Sequence, residues 1–220
     1  MKQEVKIVVP TQWSAITLKT YLELQKDLKV YGDNDEGYIA CLMHHLCGFN
    51  AQYLHQLDTE TFTKIKNDLV GFMSNTQSEL QRIINIDGVE YGFEPNLSKM
   101  AYGAYLDITK YDTFTIDDNW AKIMSILYRP IVKKHGSIYE IKDYDGNIDE
   151  TKFLNVPMDV QFGALFFFVR LLTGLPSVIL KSMMDSEIIP HNIKSILAES
   201  GKITPLLSNL QMETLDGWKI

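Results

Sequence analysis

The side chains best suited to bind a metal crowd into one short stretch: Cys41, His44, His45 and Cys47. Thiolate and imidazole are the ligands zinc prefers, and zinc holds them as a tetrahedron. Structural zinc sites bring such ligands as short knuckles from separate elements. Here all four fall in one apolar-periodic segment that reads as a helix, on less than two turns of it. Cys41 and His45 share a face, and His44 and Cys47 diverge from it. His55 and His135 would complete a site only by an accident of tertiary folding. A helical pair of cysteines six positions apart also points to different faces, so Cys41 and Cys47 are expected as reduced thiols. The segment is read as an amphipathic helix, and no metal is expected.

The other chemical constellations are weaker. Asp143-Tyr144-Asp145-Gly146-Asn147 resembles the start of a calcium loop, but with Asp143 at position one the glycine and glutamate positions fall on Ile148 and Leu154. It is read as a solvated turn. Asp117-Asp118 has the look of paired carboxylates, and a helix start accounts for it. There is no nucleophile elbow, no Gly-rich phosphate loop and no Walker-type lysine. The sequence thus names no catalytic, cofactor-binding or metal-binding residue, and a non-enzyme without cofactors is expected. An enzyme with a dispersed site, or a metal protein built on the Cys41–Cys47 helix, stands as the lesser alternative.

The elements that would position any site read as α+β, mainly helical with a small antiparallel sheet. Val5–Val9 reads as a short strand ended by Pro10. Thr17 caps a helix with Leu18, Tyr21, Leu22, Leu24 and Leu28 inward. Asn34 or Asp35 opens a second helix, with Tyr38, Ile39, Leu42, Met43 and Leu46 as its apolar face and Gly48 as its stop. Asp58 or Thr59 caps a third, carrying Phe62, Ile65, Leu69 and Phe72 on one face. Residues 1–80 are therefore a helical part with one strand. The remainder, 81–220, is a hairpin plus helices, continuous with it as one domain. The hairpin lies near residues 82–94, because Asp87-Gly88 between two β-rich runs suits a type I′ turn. Two strands alone are marginal, so it must pack on helices or pair with another strand, with Val5–Val9 or Ser137–Lys142 as candidates. Asn96 caps a short helix from Leu97. Asp117 caps another, with Trp120, Ile123, Met124 and Leu127 inward, and Arg129-Pro130 ends it. Lys133-Lys134 reads as a solvated loop. Pro157 starts an apolar central helix over 157–173, and further helices are expected near Ser177–Met184 and Asn192–Glu199. A docking tail covers 203–220. The central helix is apolar on nearly every side after Gln161, and such a helix belongs in a core or under another subunit. Phe162, Phe166, Phe167 and Phe168, with Leu206, Leu207, Leu210 and Trp218 of the tail, are the candidate interface.

Of 220 residues, 45% are hydrophobic and 22% charged, ordinary for a globular chain. The net charge of −7 is uneven: residues 31–120 carry five positive and fourteen negative groups. That stretch repels phosphate, and no basic patch with interleaved aromatics stands elsewhere, so sequence-specific nucleic-acid binding is not expected. The longest apolar run, Phe162 to Val169, is shorter than the ~18–20 residues of a membrane span. No secretory leader is read at Met1–Lys6, and no membrane association is expected.

Ile86-Asp87-Gly88-Val89-Glu90-Tyr91-Gly92-Phe93, Gly103-Ala104-Tyr105-Leu106-Asp107-Ile108, Ile126-Leu127-Tyr128-Arg129-Pro130-Ile131 and Val156-Pro157-Met158-Asp159-Val160 are similar to segments of small structural and assembly proteins of tailed bacteriophages, the crAss-like phages in particular. The resemblance implies a virion structural protein of the head, head–tail junction or tail. It implies other phage structural proteins as partners and a homo-oligomer or ring. The virion, and the host cytoplasm during assembly, are the implied locations. It carries no catalytic residues. A transient assembly chaperone or adaptor, absent from the mature particle, is the alternative.

Overall fold

Oxygen-bearing side chains begin the first three helices where the sequence places them. The structure is a computed structural model and describes residues 7–31, 34–76 and 78–173. Helix α1 is Leu18–Tyr31, and Thr17 Oγ1 accepts the Thr20 N–H at 3.2 Å. Helix α2 is Asp35–Cys47, where Asn34 accepts from the Gly37 N–H at 2.8 Å. It ends at Gly48, whose φ of 64° is the left-handed turn that a glycine takes without a Cβ clash. Helix α3 is Thr59–Ser74, capped by Asp58 on the Thr61 N–H at 2.8 Å. Ile65, Leu69 and Phe72 of α3 are buried, as their spacing predicts.

Strands β1, Ile83–Ile86, and β2, Val89–Phe93, form the expected hairpin. Asp87 and Gly88 both have positive φ, 51° and 82°, which is the condition for a type I′ turn. The third strand of the sheet departs from expectation. It is β3, Tyr128–His135, which pairs β2 on one side and β4, Ile138–Ile141, on the other. The sheet runs β1-β2-β3-β4, antiparallel throughout. Ser137–Lys142 therefore pairs with β3 and not with the first hairpin, which it reaches through the Tyr139 hydroxyl, donating to the Phe93 carbonyl at 2.8 Å. Residues 7–9 join no strand, and Val5 and Lys6 lie outside the described residues. The sequence treats Arg129-Pro130 only as a helix stop. The extended backbone imposed before a proline also starts a strand. Pro130 cannot donate to a ladder, and the pairing shifts register directly after it, between Ile131 and Lys133. Lys133 and Lys134 are not loop residues; they sit on β3 and pair with Glu140 and Glu90.

Helix α4, Tyr102–Ile108, and helix α5, Trp120–Leu127, link the two hairpins. Asp117 sits just ahead of α5, accepting the Asn119 N–H, while Asn119 holds the cap position itself. Arg129 locks the α5–β3 junction. Its guanidinium donates to the Ile126 and Lys142 carbonyls and to the buried Glu94 carboxylate at 2.6 Å.

Helix α6 is Met158–Thr173, starting one residue later than Pro157. Backbone bonds from Leu18 to Val156 and from Met158 to Ile16 tie its start to the start of α1. Met158, Val160, Gln161, Phe162 and Ala164 are all buried. Gly163 lets the helix approach the 79–80 backbone, since a Cβ there would overlap the Glu79 carbonyl. The one polar side chain in this buried stretch is fully engaged. Gln161 Oε1 accepts the Trp120 indole N–H at 2.9 Å, and its Nε2 donates to the Val156 and Phe153 carbonyls at 3.4 and 3.5 Å. Buried residues from Trp13 to Ala164 join in one core. The helices expected near Ser177–Met184 and Asn192–Glu199, and the tail 203–220, lie outside the described residues.

Replacing Gln161 by leucine strands the Trp120 N–H, while the Val156 and Phe153 carbonyls keep their backbone donors. Urea unfolding is expected to show a loss of about 1–3 kcal/mol. Adding Trp120→Phe removes the stranded donor, so the double variant should lose less than the two single losses combined.

Candidate protein-contact surfaces

Among the described residues, no group of three or more His, Cys, Asp or Glu side chains is placed to hold a metal. On α2, His45 Nε2 lies 2.7 Å from Asp27 Oδ2 of α1, and the His44 ring packs edge-on against it. Cys41 is buried, and its thiol is pushed up by burial and by the Asp27 charge. Burial alone raises Cys47. Both therefore favour the protonated thiol, which is the poorer nucleophile and ligand. The acidic 143–147 segment makes a turn, with Asp145 accepting the Asn147 N–H and facing Lys142 at 2.9 Å.

What remains after these groups are accounted for is apolar surface. Phe162 adds only an edge to it, in the groove beside α3. At 5% exposure it packs against Trp13 and Tyr21, with ring centroids 5.0 and 5.8 Å away, so this chain's own core consumes it. Past Ala164 the helix changes character. Leu165, Phe166, Phe167, Phe168 and Val169 are half-buried at consecutive positions, and consecutive positions circle a helix. Phe167 still touches Phe93, at 5.2 Å. Leu206, Leu207, Leu210 and Trp218 lie outside the described residues.

A second surface lies on α4 and was not read from sequence. Tyr102, Tyr105 and Leu106 are 74%, 55% and 42% exposed. The two tyrosine rings stack with centroids 6.5 Å apart. The spacing of i, i+3 and i+4 was visible, but the same spacing serves a core face. Here Ala104 and Ile108 turn inward instead. The helix is held by Asp107, which accepts from the Tyr144 hydroxyl and pairs with Lys110. Tyr144 in turn lies against Arg129.

A third feature is a groove of about 1140 Å³ between the segment Ile7–Ser14, one face of α3 and the start of α6. Trp13, Ile65, Phe72 and Phe162 supply its apolar wall, and Lys64, Asp68 and Asp159 its charges. Trp13 is fixed there by its indole N–H, which donates to the Asn75 carbonyl at 2.7 Å, and by stacking on Phe72 at 4.4 Å. The groove was also missed from sequence, because its walls come from segments far apart in the chain.

In comparisons with known proteins, no family model, no curated protein and no solved structure matches the chain. Among the described residues, no helix is long and apolar enough to cross a membrane.

The α4 anchor carries a pH dependence. The Lys110 hydrogen bond first, then that from Tyr144, holds the Asp107 carboxyl below the usual carboxylate range. A lowered folded-state value means the contribution is present above the unfolded carboxylate's titration and is lost as pH falls through the folded one. Asp107→Asn should therefore be less stable than the parent at neutral pH, and the gap should close in acid. Urea midpoints of both chains across that range test it.

Proposed function

We propose that the chain is a non-enzymatic structural protein of a tailed-bacteriophage particle, acting by assembly with copies of itself and with other virion proteins. The observation that carries this reading is apolar surface beyond what the core uses. Phe166, Phe167 and Phe168 in the second half of α6 are only half-buried where they pack against the core, and α4 presents a stacked tyrosine pair with Leu106 beside it. Exposed aromatic surface of this kind marks contact sites when it is contiguous. The likeness of the four central segments to phage structural proteins supplies the setting. The acidic excess over residues 31–120 suits a protein that meets other proteins without gripping DNA.

Sedimentation of the purified chain should show an oligomer, and Phe166→Ser with Phe168→Ser should shift it toward monomer. Mass spectrometry of purified particles should find the chain at fixed stoichiometry. A monomer at all concentrations together with absence from particles would overturn the proposal. Presence in infected cells but not in particles would replace the structural role with that of an assembly chaperone.

A further inference from the structure

The groove beside α3 has an edge that is unusual for its position. Ile7 to Pro10 form no helix, strand, turn or bend, and Val9 is held extended by the proline after it. Val8 is exposed, while Ile7 and Val9 on either side are half-buried, the alternation of an extended strand. Yet Ile7 through Thr11 make no hydrogen bond with another described residue. Among the described residues this strand-like backbone has no partner, and such backbone is a template for a further strand.

The other lining residues of the groove define what that strand must carry. The wall is apolar, from Trp13, Ile65, Phe72 and Phe162. Gly71 of α3 leaves space, since a Cβ at that position meets nothing within 4 Å. Its charged lining is mostly acidic. Asp68 and Asp159 line the groove, with Lys64 the one cation among its described lining residues. Asp159 is tied down on one side, its Oδ2 accepting from Gln81 Nε2 at 2.9 Å and its carbonyl from Ser78 Oγ at 2.6 Å. Its Oδ1 is buried with no hydrogen-bond partner among the described residues. A buried carboxylate oxygen without a donor is costly, and a cationic donor offsets that cost best.

The geometry points to a peptide-binding groove that takes an extended segment of a partner protein, added as a strand along Ile7–Thr11, with apolar side chains on the Trp13–Phe72 wall and a lysine or arginine at Asp68 and Asp159. Main-chain hydrogen bonds give such a site its affinity, and the pockets for alternate side chains give it specificity. The inference rests on the reading of the chain as one that works through protein contact, and it names the class of segment bound. It does not depend on the phage setting or on the α6 surface.

The test is selection of a displayed random-peptide library on the full chain, followed by fluorescence-anisotropy titration of the enriched peptides. Enriched sequences should alternate apolar residues and carry a lysine or arginine. Gly71→Leu fills the groove without meeting the core, and it should abolish binding. Asp68→Asn with Asp159→Asn should weaken binding about tenfold or more, as loss of a charge-assisted contact does. Asn at Asp159 keeps an acceptor for Gln81, so folding is retained, and circular dichroism of each variant checks this. Methylating alternate peptide nitrogens should weaken binding as well. No enrichment, acidic enriched sequences, or peptides indifferent to Gly71→Leu would overturn the inference. An oligomer that assembles but selects no peptide would remove the groove and keep the assembly reading. A monomer that binds basic peptides would do the reverse.

Discussion

The fold turns on one buried amide. Gln161 lies with no exposed surface in the apolar half of α6, where a polar side chain is tolerated only if its donors and acceptor are met. It meets them with the Trp120 indole of α5 and with the carbonyls of Phe153 and Val156. Hydrophobic contact alone is non-directional and would let α6 rotate or slide among Leu, Phe and Met neighbours. The amide admits one arrangement. It sets which residues of α6 face the core, and thereby which of its phenylalanines remain for other uses.

The sheet is fastened to the helices by a second polar device, the Arg129 fork. The chain passes from α5 into β3 without a loop, so the backbone must change from helical to extended within one residue. Arg129 bridges that corner, holding the helix end at Ile126, the end of β4 at Lys142 and the end of β2 at Glu94. Breaking a buried pair by removing one partner is far more costly than the pair is stabilising, so the value of Glu94 and Arg129 lies in fixing geometry. Tyr144 rests on the same guanidinium and reaches Asp107, so the exposed tyrosines of α4 are positioned by the corner beneath them.

The candidate contact surfaces follow from where these constraints stop. The first half of α6 is consumed by the core, and the second half emerges from it with its aromatic residues partly uncovered. The groove arises because Ile7–Thr11 lies along it with no hydrogen bond to another described residue, and with glycine rather than a larger residue at position 71. Neither surface requires a special residue type. Each requires that ordinary apolar and acidic residues be left unmatched in one place.

Local signals were legible. Thr17, Asn34 and Asp58 as caps, Gly48 as a stop, and Asp87-Gly88 as a hairpin turn depend on a few adjacent residues and on steric rules that hold in any context. The α+β class followed from them, as did the core faces of α2 and α3. Tertiary pairing was not legible. The sequence showed that the first hairpin needs another strand, but β3 was hidden behind a proline and two lysines that read equally well as a helix stop and a loop. The same limit applied to α4, whose spacing marks a face without saying whether core or solvent receives it, and to Phe162, which resembles its half-buried neighbours until Trp13 and Tyr21 are folded against it. Short-range geometry is decided by the residues themselves. Which apolar face is covered is decided by partners distant in the chain, and one sequence does not state their pairing.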